Sequence, residues 1–336
     1  MLKVRRHNLT WADLEMAQLD LTKLITHYAQ SNKADNKSAK TVTWYSEMLG
    51  DYVKFIRSTR RESILAELNA ETVREFILHE QSRNLSPFTI QGKVRALKAF
   101  SSWLWNEGYT SDNVLTRIKL PKAPHRIIEP LKNSEIDALL KVQNPLTALG
   151  SRNIAILMTF LDTASRLSEL CNLRFDDVHI EEGYLKVMGK GNKERIVPIG
   201  ASTQKVLWRY VIHFRPEPLG ELDNYLFLTA DGKHLQPNAV KLLLRRWGRN
   251  AGVPRLHAHL LRHTCATNFL LHRCGDIYRL KQILGHNTLQ MVDKYVHYAS
   301  AEDAIRHHPS SPVDRMSIKG LRSYNLDHML KKNSRR

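Results

Sequence analysis

The sequence predicts a mainly α-helical chain with one small β-sheet, an α+β protein in two domains. Three observations predict it. Apolar residues recur at alternating three- and four-residue steps over most of the 336 residues, which keeps one face of a helix apolar. Two short runs with a strand-like pattern, Tyr184-Leu-Lys-Val-Met188 and Arg195-Ile-Val-Pro-Ile199, flank Gly189-Lys-Gly-Asn-Lys193, and two glycines with an asparagine there make a hairpin turn. Residues 118–130 carry three prolines and three Lys or Arg residues, an extended basic stretch that divides the chain. A length of 336 residues is a prior for two domains, each able to bury its own core.

Residues 1–117 read as a helical bundle. Trp11, Leu14, Leu21, Leu24, Ile25 and Tyr28 keep helical spacing, with a slip near Gln18. A cleaner stripe follows in Val42, Tyr45, Leu49, Tyr52 and Ile56, then a third helix from Asn69 through His79 with Val73, Phe76 and Ile77 inward. The fourth helix is the best marked. Ser86 is its N-cap and Pro87 its first residue, Ile90, Val94, Leu97, Phe100 and Leu104 form its stripe, and Gly108 stops it. Lys93, Arg95 and Lys98 are assigned to its opposite face, with Lys93 and Lys98 as candidate DNA contacts of a small DNA-binding bundle and a merely solvated charged face as the alternative.

Residues 118–130 are the predicted linker, and its Lys122 and Arg126 suit a phosphate backbone. Residues 131–305 form the second domain. Asn133-Ser134-Glu135 starts a helix, Asn153 to Leu161 is an apolar one, and Arg166-Leu-Ser-Glu-Leu170 opens the next. After the hairpin come a short helix beyond Ser202 and further helices at Asn238–Gly252, His259–Arg273, Asp276–Leu284 and Thr288–Tyr298, with Gly275 and Gly285 at C-cap positions. Lys241, Arg245 and Arg249 make one cationic stripe, which is unfavourable in a helix unless an anion compensates it. Residues 306–336 are a basic tail in which 313–330 has the pattern of an amphipathic helix.

Lys and Arg exceed Asp and Glu by 51 − 33 = 18, spread along the chain, so a polyanion is the expected partner and double-stranded DNA the first candidate. The basic N-terminus has no apolar run after it, and no apolar run is long enough to span a bilayer, so neither a secretory signal nor a membrane is expected. Cys171, Cys265 and Cys274 read as reduced, buried thiols of a cytoplasmic protein.

The chemistry-bearing stretch is the last third. His259 and Arg262 stand one helical turn apart, on a face able to hold a phosphate with a guanidinium and a neighbouring imidazole. His286 follows a Leu-Gly pair, and Tyr295 lies nine residues beyond it, with Tyr298 as a nearby competitor. His257, His259 and His263 could instead be metal ligands. However, no carboxylate or paired cysteine accompanies them at ligand spacing, and no metal or other cofactor is expected.

Taken together, Arg166-Leu-Ser-Glu-Leu170, Gly189-Lys-Gly-Asn-Lys-Glu-Arg-Ile-Val-Pro198, His259-Leu-Leu-Arg-His-Thr-Cys-Ala-Thr267, Leu284-Gly-His286 and Tyr295-Val-His297 resemble the tyrosine recombinase (phage integrase) family and its Xer-like branch. The resemblance is close over roughly the second domain. Residues 1–117 resemble the family's helical core-binding domain in pattern alone. It implies a catalytic set of Arg166, Lys190, His259, Arg262, His286 and Tyr295, with Glu169 supporting Arg166. Where relatives commonly have a Gly-Leu pair before the first arginine, this chain has Ala164-Ser165.

The residue types fit that reaction. Cleavage through a pentacoordinate phosphorane spreads negative charge that two guanidiniums neutralise, Tyr295 attacks, and Lys190 protonates the leaving 5′ oxygen. Lys193 and Arg195 compete with Lys190 for the acid role, and Lys193 also suits phosphate. The product is a 3′-phosphotyrosyl link, so rejoining needs neither ATP nor metal. The resemblance further implies four protomers on two duplexes, with accessory DNA-bending proteins as possible partners. The alternative from another class is a non-catalytic DNA-binding regulator on the same scaffold.

Overall fold

The computed structural model describes residues 15–124, 128–189, 193–220 and 224–306, with the backbone alone for Lys294 and 301–306. Two compact units divide the chain, Met1–Arg126 and Ile127–Arg336. Among the described residues no helix is long and apolar enough to cross a membrane.

The first unit contains α1 (Leu21–Ala34), α2 (Ala39–Ser58), α3 (Ala70–Ser82) and α4 (Pro87–Asn106). Local chemistry sets their starts. Asp20, Ser38, Asn69 and Ser86 each accept a backbone N–H from the first turn of the helix that follows, and Pro87 occupies a first-turn position that needs no donor. The slip near Gln18 is a turn that ends one short helix before Asp20 bridges Ile64 and α1 begins. The stripe residues Leu49, Tyr52, Ile56, Val73, Phe76, Val94, Leu97 and Phe100 meet in one core.

Lys93 and Lys98, expected as DNA contacts on the opposite face of α4, are engaged within the unit instead. Lys93 is 4% exposed, and its ammonium meets Glu80 (2.5 Å) and Asp51 (2.8 Å). The reason is spacing: Lys93 stands three residues after Ile90 and four before Leu97, inside the apolar stripe. Lys98 is half-buried and donates to the carbonyls of Thr116 (3.0 Å) and Ile118 (2.7 Å). Arg95 is exposed.

Those bonds also anchor the start of the basic, proline-rich stretch. Ile118 is buried and Gln91 donates to the Pro121 carbonyl (2.7 Å), while Lys122 is exposed. At its other end Arg255 donates to the carbonyls of Glu129 (2.7 Å) and Pro130 (3.0 Å), and the Leu131 N–H donates to Thr264 (2.9 Å). Arg126 lies outside the described residues.

The second unit runs α5 (Asn133–Lys141), α6 (Ala148–Thr163), α7 (Leu167–Cys171), β1 (Val178–His179), β2 (Tyr184–Met188), β3 (Glu194–Pro198), α8 (Ala201–His213), α9 (Pro237–Asn250), α10 (Ala258–Leu271), α11 (Ile277–Leu284) and α12 (Gln290–Arg306). The sheet is antiparallel in the order β1-β2-β3, with Leu185 opposite Val197 and Val187 opposite Arg195. Gly189 N–H to Lys193 O (2.8 Å) closes the hairpin, whose tip, Lys190 included, lies outside the described residues. The helix expected to be short after Ser202 has thirteen residues, and the one opened by Arg166 has five. α6, buried over most of its length, packs into a core shared with Leu185, Val197, Leu207, Leu244, Trp247 and Leu261. Cys171 and Cys265 are buried, but Cys274, expected to be buried, is exposed after the end of α10.

Candidate active site

Glu169 organises one side of the site. Its side chain is 2% exposed, on the five-residue helix α7. It accepts the Arg166 backbone N–H (2.8 Å) and Arg166 Nη1 (2.6 Å), and both terminal nitrogens of Arg195 (2.9 and 2.7 Å). Burial raises the carboxyl's pKa, but hydrogen bonds and charge from Arg195 and Arg166 outweigh it and hold it at about 2. Glu169 is therefore an anion at any ordinary pH, and Arg166 has a fixed counter-charge. The other terminal nitrogen of Arg166 donates to the Gly285 carbonyl (3.3 Å), while its side chain stays 34% exposed, open to an incoming group.

Arg195 was a contender for the acid role. Here its guanidinium is engaged: besides Glu169, its Nε donates to the Ile283 carbonyl (2.9 Å), and only 13% of the side chain is exposed. The sequence held the signal for this. Arg195 and Val197 share one parity along β3, and Val197 is buried, so Arg195 points inward.

Arg262 forms the other side. It projects from α10, 3% exposed, and donates to the carbonyls of Ala164 (2.5 Å) and Leu284 (2.7 Å). Ala164 is the left-handed C-cap of α6 (φ 50°), a conformation glycine adopts more easily, and it turns that carbonyl toward Arg262. Arg262 also meets His286 Nε2 at 3.1 Å. A guanidinium only donates, so Nε2 accepts, and the neutral ring carries its proton on Nδ1. Burial, then the Arg166 charge, lower the Arg262 pKa to about 10, which leaves it cationic at neutral pH.

Tyr295 lies on α12 and is fully buried. It packs with Ala164, Cys265, Ala266, Leu280, Leu284 and Val292, and edge-on to the His263 ring (5.1 Å between centroids). Burial raises the phenol's pKa, opposed by the charge of the neighbouring Arg262 and more weakly by Arg166; the net direction is upward. The structure thus brings Arg166, Glu169, Arg262, His286 and Tyr295 to one place. His259 is exposed one turn before Arg262 on the same helix.

Of the other histidines, His257 caps α10 through the Leu260 N–H (3.1 Å) and His263 is buried beside Thr267 (3.2 Å). Among the described residues no three His, Cys, Asp or Glu side chains are grouped to hold a metal. The basic residues assigned to DNA are separate from this cluster. Lys193 is exposed at the hairpin, and Lys241, Arg245 and Arg249 are exposed on α9, whose other face buries Val240, Leu244 and Trp247.

Residues 129–302 match the phage integrase family. The tyrosine recombinase XerC of Bacillus pumilus (strain SAFR-032) is 31% identical over 299 residues, 86% of this chain and 96% of its own length. That of Oceanobacillus iheyensis is 32% identical over 287 residues, 84% and 93% respectively. Among solved structures, XerH site-specific recombinase bound to palindromic difH substrate in a post-cleavage complex gives a TM-score of 0.70 at 19% identity, covering 90% of this chain and 99% of that one. Tn1549 transposon integrase in complex with transposon right end DNA gives 0.67 at 17% identity, covering 86% and 99%. At those identities the structural likeness shows the fold.

Proposed function

Because the chain belongs to the phage integrase family and is a site-specific tyrosine recombinase, we propose that Tyr295 cuts one DNA strand and later gives it back, with Arg166 and Arg262 clamping the phosphate between them. The observation that carries this reading is the convergence on Arg262, which meets His286 directly (3.1 Å) and whose charge acts on the buried phenol of Tyr295, while Arg166 stands close enough to lower the pKa of Arg262. Both guanidiniums present N–H groups where the phosphorane oxygens gain charge. The same cations favour the phenolate against the burial that disfavours it. His259 and His286 hold a phosphate oxygen or assist proton transfer, and Lys190 on the hairpin protonates the leaving 5′ oxygen. The resulting 3′-phosphotyrosyl bond keeps the phosphodiester's energy, so resealing needs no ATP, and the two guanidiniums take the part a metal plays elsewhere.

In this reading the substrate is double-stranded DNA. The segment 1–117 is a core-binding domain, 131–305 the catalytic domain, and 118–130 joins them. Lys122, Arg126, Lys193, Lys241, Arg245 and Arg249 take phosphates, and such contacts fix position more than sequence. Four protomers on two duplexes, helped by DNA-bending proteins, exchange strands in the cytoplasm on the nucleoid. The tail 306–336 docks on a neighbouring protomer, and truncation after Asp314 should weaken synaptic complexes.

The test is a suicide substrate nicked beside the crossover point, incubated in EDTA. Wild type should trap a covalent DNA adduct, and Tyr295→Phe should trap none. Adducts that persist in Tyr295→Phe would transfer the role to Tyr298. A wild type that binds DNA but never forms an adduct would make the protein a regulator.

A further inference from the structure

We propose that Arg195 is a positioning residue for strand cleavage: through Glu169 it fixes Arg166, and through the Ile283 carbonyl it fixes the turn that leads to His286. This rests on the clamp assigned above to Arg166 and Arg262. The planar guanidinium uses one edge for a two-bond grip on Glu169 (2.9 and 2.7 Å) and its Nε for Ile283 (2.9 Å). An ammonium has no such fork and cannot make the three bonds in one plane.

Two glycines lie against Arg195. At Gly285, a left-handed residue (φ 61°), an added Cβ would come 3.2 Å from Arg195 Nη1, and the carbonyl of the same glycine accepts from Arg166. At Gly189, the root of the hairpin, an added Cβ would come 3.3 Å from Arg195 Nη1. One side chain therefore meets the base of the hairpin that bears Lys190, the carboxylate beneath Arg166 and the turn before His286.

Without Arg195, the buried Glu169 keeps Arg166 as its remaining ion partner among the described residues. Desolvation then favours the neutral acid, and a neutral acid holds Arg166 less firmly. The charged groups around Glu169 are Arg166 on its own element, Arg195 on β3 and Arg262 on α10, with His286 beside Arg262.

The experiment compares full-length wild type, Arg195→Gln and Arg195→Lys on nicked suicide substrates, with DNA affinity measured in parallel. One substrate has an ordinary scissile phosphodiester. The other has a methylphosphonate there, which lacks one non-bridging charge and so depends less on the clamp. Arg195→Gln should cleave the phosphodiester about 100-fold more slowly at unchanged affinity. Its deficit should deepen as pH falls toward 5.5 and shrink about tenfold on the methylphosphonate.

Arg195→Lys should show the same substrate dependence with a smaller deficit, and it carries the test if Arg195→Gln does not fold. An equal deficit on both substrates at every pH, or no deficit, overturns the proposal. A failure of the underlying reading shows separately, as adducts that survive Tyr295→Phe.

Discussion

Each unit buries an ion cluster, and the two are built on opposite charge balances. In the first unit Lys93 (4% exposed) lies between Glu80 (1%) and Asp51, and Arg83 also reaches Glu80. Its buried charges are one cation, Lys93, and one carboxylate, Glu80, and they offset each other, while Asp51, Arg83 and Lys54, which also pairs with Asp51 (3.2 Å), lie partly in solvent. In the second, Arg166, Arg195 and Arg262 surround Glu169, three cations around one carboxylate among the described residues. Arg262 satisfies its N–H groups with the carbonyls of Ala164 and Leu284, which are hydrogen-bond partners but not counter-charges. Breaking a balanced buried cluster leaves an unpaired charge and costs stability. A cluster with surplus positive charge has room for an anion, and a bound phosphate supplies it. The first cluster serves the fold, and the second carries the surplus charge that the proposed reaction uses.

Mutation can sharpen that contrast. Glu80→Ala leaves Lys93 buried with Asp51 alone and should cost the first unit about 3–5 kcal/mol, measured by urea unfolding. A cost near zero would remove the first half of the comparison. Arg262→Ala should slow adduct formation about 100- to 1,000-fold, and an unimpaired rate would remove the second half. Glu169 has a folded pKa depressed to about 2. Its contribution is present above the ordinary carboxylate value and is lost as pH falls from there toward 2. Wild type should therefore lose on the order of 3 kcal/mol more across that window than Glu169→Gln, followed by thermal melts. The smallest effect separates buried from exposed cations: Arg245→Ala should reduce the salt slope of DNA binding by about 1, and Lys93→Ala should leave it unchanged.

The sequence made the helices legible where signals were local. Ser86-Pro87 and Asn69 mark helix starts by their own side chains, and Gly285 marks an end by its backbone. Lys93 reads as a surface cation by its charge, but its place in the apolar stripe turns it inward. The two residues of β1 were too short to show a period. The partners of Arg262 lie 98 and 22 residues away, at Ala164 and Leu284, beyond the reach of periodicity, and family resemblance supplied the grouping instead. Parity along β3 could have turned Arg195 inward, but no local pattern names Glu169 as its partner.

The placement of Tyr295 has a consequence for fidelity. A fully buried ring reaches a scissile phosphorus only after its neighbours release it, and exposing an aromatic side chain costs about 2 kcal/mol, roughly thirtyfold in population. In the proposed reaction, a chain that meets the wrong DNA would therefore keep this phenol out of reach and leave the duplex without a nick.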